Sequence, residues 1–164
     1  CPKRMVLVGV ASNFRRSANI KKGLRKMRQL FGDLEISHLI KSSDFSGKGA
    51  FYWNLVVKFK SGSSVAELKT LMKDIEASCG RLKKSKELGR VSLDLDFLLL
   101  ENVNSAGFCL LDSELSCNLS ELYGLGDLLT SLELQSAGLQ LDHLITEFDY
   151  ERFRLINVKW DSVL

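Results

Sequence analysis

Proline is nearly absent: Pro2 is the one proline in 164 residues. Chain reversals must therefore rest on Gly, Ser, Asn and Asp. Histidine is also scarce, with two residues, and the four cysteines (Cys1, Cys79, Cys109, Cys117) show no CxxC spacing. That spacing argues against a zinc site and against a disulfide framework, leaving free thiols as the default. No apolar run approaches the ~20 residues of a membrane span. The opening Cys1-Pro-Lys-Arg-Met-Val has no signal-peptide layout, so a cytoplasmic protein with no membrane partner is expected. The net charge of +3 is too mild to mark a nucleic-acid protein. There is no internal repeat, low-complexity segment or linker. The length suits a single domain, 1–164, with a real core.

What is present is a clear alternation of periods. Met5 to Val10 reads as a buried strand, followed by a turn at Ala11-Ser-Asn-Phe. Ile20, Leu24, Met27 and Phe31 fall at helical spacing, and Gly32 is a natural stop. Leu34 to Ser43 reads as a second strand, and Ser46 to Ala50 as a glycine-rich loop. Phe51 to Lys60 alternates, with Trp53, Leu55, Val57 and Phe59 on one face and Tyr52, Asn54, Val56 and Lys58 on the other. Ser64-Val-Ala-Glu67 has capping-box spacing and opens a second helix with the stripe Val65, Leu68, Met72, Ile75, Cys79. A basic loop, Arg81 to Arg90, precedes the strand Val91 to Leu100. The order β-α-β-β-α-β predicts an α+β, ferredoxin-like fold: an antiparallel sheet with both helices on one face. Beyond Glu101 the pattern weakens into a divergent C-terminal extension. Short helices are expected near Leu122–Leu132 and Leu139–Phe148, and a strand within Arg152–Trp160.

Three constellations carry chemistry. Asp94 and Asp96 sit two apart in an apolar strand, so their carboxylates share one face. Such a pair repels itself and is costly to desolvate, which calls for cations; Mg²⁺ carrying polyphosphate fits the oxygen-only donor set. A solvated strand face is the plain alternative. Tyr52 and Asn54 also share a face, where a ring can stack on a flat heterocycle while an amide pairs with its edge. Arg81-Leu-Lys-Lys-Ser-Lys-Glu-Leu-Gly-Arg90 gathers five cations able to clamp a triphosphate. The cations of the first helix (Lys21, Lys22, Arg25, Lys26, Arg28) face away from its apolar stripe and form an ordinary wet face.

In this order the motifs resemble the 6-hydroxymethyl-7,8-dihydropterin pyrophosphokinase family of folate biosynthesis. That family's Gly-Ser-Asn turn is matched by Ala11-Ser12-Asn13, and its aromatic-x-Asn strand by Tyr52-Trp53-Asn54. Its Ile-Glu-x-x-x-Gly-Arg helix end is matched by Ile75 through Glu76, Gly80 and Arg81, and its Asp-Leu-Asp by Asp94-Leu95-Asp96. The match covers roughly residues 5 to 101. The resemblance implies transfer of the β,γ-diphosphate of ATP to the hydroxymethyl group of a dihydropterin. Asp94 and Asp96 would hold two Mg²⁺ ions, and Tyr52, Asn54, Ser42 and Ser43 the pterin. Glu76, Arg81, Lys83 and Lys84 would lie on the nucleotide side. The family's catalytic arginine falls at Val91, which leaves Arg90 as the neighbouring candidate. Its later Pro-His and Arg-Gly-Phe elements are absent. A relative that binds a pterin, a nucleotide or a protein without efficient transfer is the alternative. The expected partners are ATP and a dihydropterin, on a monomer or weak dimer.

Overall fold

The computed structural model describes residues 2–43, 50–81, 89–112, 115, 119–139, 160 and 164, together with the backbone of 153–156. Its elements are β1 (Arg4–Ser12), α1 (Arg16–Phe31), β2 (Glu35–Ile36), β3 (Leu39–Ser42), β4 (Tyr52–Ser61), α2 (Val65–Ser78), β5 (Asp94–Glu101), β6 (Phe108–Leu110), α3 (Leu119–Leu128), α4 (Ser131–Ser136) and β7 (Phe153–Ile156). The strands form one sheet in the order β6-β5-β1-β4-β3-β7, with β2 also on β4, and every pairing is antiparallel. This is the α+β, ferredoxin-like arrangement that the alternation of periods predicts. The expected helix at Leu139–Phe148 lies, beyond Leu139, outside the described residues, as does most of the glycine-rich loop.

α1 and α2 cover one face. Ile20, Leu24 and Met27 of α1 and Leu68, Met72 and Ile75 of α2 pack on Val6, Val8, Val10, Leu55, Val57, Phe59 and Leu95. Trp53 and Phe97 lie against this core at half burial, as the strand alternation requires. The expected capping box is present: Glu67 N–H donates to Ser64 Oγ (3.2 Å), and Ser64 N–H donates to the Glu67 carboxylate (3.4 Å).

The second face differs from the expectation of an open sheet. A further core forms there from Leu7, Val56, Leu98, Leu99 and Phe108 against Leu122, Leu125 and Leu129 of α3 and Leu134 of α4. The pairing of β1 with β5 slips between Leu7 and Val8, making Leu98 the extra residue of a bulge. Two consecutive leucines, Leu98 and Leu99, thereby join the second layer, which strict alternation would forbid. α3 lies close to β4 because Gly124 has no side chain: a Cβ there would stand 2.5 Å from Val56 Cγ2. The strand expected over 34–43 is broken at Ser37, whose hydroxyl accepts from Val56 N–H (2.8 Å) while its own N–H donates to Val56 O (2.9 Å).

Candidate functional site

The sheet register builds the site. Ala11 pairs with Asn54 on one side and Asp94 on the other; Gly9 pairs with Val56 and Asp96. Directly paired residues share a face, so Asn54, Ala11 and Asp94 form one row and Val56, Gly9 and Asp96 the next. Across two strand spacings, about 10 Å, only the Ala11 methyl lies between Asn54 and Asp94 along the first row. β1 runs on to Ser12, so Ala11, read as a turn residue from the sequence, is strand and floor of the site. Ser42 pairs with Tyr52, and Asn54 Nδ2 donates to Ser42 Oγ at 2.6 Å. Tyr52, Asn54 and Ser42 are thus assembled at one end of the floor, with Ser43 exposed beside them.

The aspartate end is tied to α2. Arg81 Nη1 donates to Glu76 Oε2 and to Asp94 Oδ1, both at 2.5 Å, and to Leu93 O at 3.3 Å. Glu76, 3% exposed, also accepts from Leu95 N–H at 2.9 Å. Burial opposes the Arg81 charge, but Asp94 and Glu76 outweigh it and raise its pKa. The structure therefore brings Glu76 and Arg81 to Asp94. Arg90 is exposed, with its guanidinium carbon 5.2 Å from the centre of the Phe14 ring. Asn13 fixes its backbone: Asn13 Nδ2 donates to Gly89 O (2.9 Å), and Val91 N–H donates to Asn13 Oδ1 (2.6 Å). Lys83 and Lys84 lie outside the described residues.

Two further acids join the platform. Glu121 of α3 is 8% exposed and lies over Gly9, where a Cβ would stand 3.0 Å from Glu121 Oε1. Its signal in the sequence was faint: it shares a helix face with Leu125, four residues on and fully buried. Asp112 follows β6 and contributes to the same negative field. Burial first, then Asp94, Asp112 and Glu76, push Asp96 up to about 7. Burial first, then Asp96, Asp112 and Asp94, push Glu121 up to about 8.

These shifts set a pH dependence. An unfolded carboxyl titrates near 4, roughly, so between that value and the raised native ones the folded chain binds more protons than the unfolded chain. Stability then falls as pH rises across this window. The melting temperature of the metal-free protein is expected to drop by roughly 10–20 °C from pH 5 to pH 8, and Glu121→Gln to remove much of the drop. Thermal melts across that range check it; a flat profile for the unaltered protein overturns it.

A cleft of about 540 Å³ wraps the outer edge of β5, where β6 has not yet paired. Val65, Met72, Leu95, Phe97 and Leu111 give it apolar walls, Lys69 and Lys73 line it from α2, and Asp96 and Asp112 close its acidic side. Among the described residues no three side chains converge as a metal cage. The donors that the site offers a cation are the Asp94 and Asp96 carboxylates on one face, and Mg²⁺ is commonly held by one or two carboxylates with phosphate and water oxygens completing the shell.

Among the described residues, no helix is long and apolar enough to cross a membrane. No curated protein matches the chain. A family model does, that of 7,8-dihydro-6-hydroxymethylpterin-pyrophosphokinase, over residues 7–141. That span takes in the floor, the Glu76–Arg81–Asp94 linkage, both aspartates and α3, and on it the chain belongs to the 7,8-dihydro-6-hydroxymethylpterin-pyrophosphokinase family.

Proposed function

We propose that this chain transfers the β,γ-diphosphate of ATP, as a unit, to the hydroxymethyl oxygen of a dihydropterin in folate biosynthesis. The acceptor oxygen bonds to the β-phosphorus, the bond from that phosphorus to the α,β-bridging oxygen breaks, AMP leaves, and the hydroxyl proton is released. Family membership supports diphosphotransferase chemistry on a pterin. The observation that carries the finer reading is the row Asn54–Ala11–Asp94, which places a heterocycle-reading amide and a carboxylate on one shallow floor.

In this reading Tyr52 stacks on the pterin while Asn54, oriented by Ser42, meets its polar edge, with Ser43 at the rim. The β5-edge cleft takes the nucleotide: its apolar walls receive the base, and Lys69 and Lys73 meet anionic oxygens. Glu76 and Arg81 hold Asp94 in place on the nucleotide side, and Arg90 flanks the phosphates. Asp94 and Asp96 would hold two Mg²⁺ ions, which supply neutralisation of the triphosphate charge and polarisation of the acceptor oxygen. What the chain itself contributes is positioning, since phosphoryl chemistry gains most from alignment and charge placement.

Calorimetry with Mg²⁺, α,β-methylene ATP and hydroxymethylpterin, paired with AMP release from ATP, tests the assignment. Binding of both ligands and AMP formation only with the pterin are expected. Asn54→Ala should weaken pterin binding by about tenfold, the scale of one or two lost hydrogen bonds, and leave the nucleotide unaffected. Absence of binding by either ligand overturns the reading. Binding of both without AMP release favours the non-catalytic relative, in keeping with Val91 at the family's arginine position.

A further inference from the structure

Two arginines meet on one ring at the end of the sheet where the β1–α1 turn faces the entry to β5. The guanidinium carbon of Arg15 lies 5.4 Å, and that of Arg90 5.2 Å, from the centre of Phe14. The two like charges are therefore at most about 11 Å apart. Among the described residues no carboxylate pairs with either guanidinium. The next residue, Arg16, stacks on Phe51 at 3.5 Å, and Lys41 lies 4.0 Å from the same ring. Aromatic faces hold such cations in place without neutralising them.

The backbone fixes both partners. Asn13 clamps residues 89–91 through its side-chain amide, and Asn13 N–H donates to Val91 O at 3.0 Å. Arg15 is the sole non-glycine residue with positive φ among those described (φ 45°, ψ 50°), and its side chain makes no cap to α1. A left-handed arginine costs stability that glycine would recover. Backbone outliers of this kind cluster at ligand and active sites.

We propose that Arg15 and Arg90, arranged around Phe14, form a two-guanidinium clip for the terminal phosphates of the nucleoside triphosphate. The clip rests on the transfer reading for the identity of its ligand, but its anion chemistry is independent of turnover. Paired guanidiniums suit phosphate oxygens because each presents a planar fork of donors. Arg15 is then a binding residue outside the motifs of the aspartate strand and the pterin floor.

Arg15→Gly is the discriminating variant, because it removes the guanidinium while relieving the left-handed backbone. In the full chain with Mg²⁺, it should weaken inorganic tripolyphosphate and α,β-methylene ATP by about tenfold each, the scale of one charge-assisted contact. AMP and hydroxymethylpterin affinities should stay unchanged, and the melting temperature should hold or rise by up to about 2–4 °C. Arg15→Lys, which keeps the charge and loses the fork, should fall between. Unchanged tripolyphosphate affinity in Arg15→Gly, or no tripolyphosphate binding by the unaltered protein, overturns the clip even if AMP is formed. Arg15-dependent tripolyphosphate binding without AMP release leaves the clip standing and defeats the transfer reading.

Discussion

Asp96→Ala is expected to lower the rate of AMP formation by at least about 10³-fold, with pterin affinity intact. Asp96 stands beside Gly9 on the shared floor, and burial with Asp94, Asp112 and Glu76 around it makes its charge expensive without a cation. Removing it takes away one of the two paired aspartates and relieves that cost, so the variant should be no less stable than the parent at pH 8. Loss of activity with stability retained separates a metal-binding role from a folding one. Asp94→Ala should abolish turnover to a similar degree but lose stability as well, because Asp94 also accepts from Arg81. Neither variant touches the Ser42–Asn54 hydrogen bond, so pterin binding serves as the internal control. Parental turnover in both variants would show that the aspartates do not carry the metal.

Much of this layout was legible in the sequence. The 3.6-residue spacing of α1, the capping box of α2 and the alternation of β4 each depend on local rules, and the structure follows them. So does the shared face of Asp94 and Asp96. What the sequence concealed depends on distant partners. Ala11 and Ser12 carry turn-like residue types, yet remain in β1 because Asn54 and Asp94 hold Ala11 from both sides and Trp53 pairs with Ser12. Glu121 reads as an ordinary polar residue in a weak helix; only the docking of α3 through Gly124 brings it over Gly9. Ser37 breaks an apparently continuous strand because its hydroxyl replaces a strand acceptor for Val56, which lets His38 N–H and Nδ1 reach Asp127 at 2.9 and 2.7 Å. Arg90 likewise gave no hint of Phe14, since the two are distant in sequence and meet only because the Asn13 clamp holds the β1–α1 turn against residues 89–91.

Arg81→Ala is expected to cost about 2–4 kcal/mol of stability, a melting-temperature drop of about 10 °C. Glu76 is almost wholly buried, and removing its principal cation leaves the carboxylate with Leu95 N–H and the mostly exposed Lys73 ammonium, 3.2 Å away. The lower end of that range reflects solvent screening, because the Arg81 and Asp94 side chains keep 21% and 30% of their surface exposed. All three Arg81 contacts to Glu76, Asp94 and Leu93 go through Nη1, so charge matters here more than the guanidinium fork. Arg81→Lys should accordingly retain much of the stability. Glu76→Gln combined with Arg81→Ala should be less damaging than Arg81→Ala alone, because the double variant strands no buried charge. Denaturant unfolding of the four proteins at pH 7 decides it. A cost below about 1 kcal/mol at pH 7 would mean that water already screens the linkage, and that α2 is held to β5 by the Leu95–Glu76 hydrogen bond and apolar packing alone.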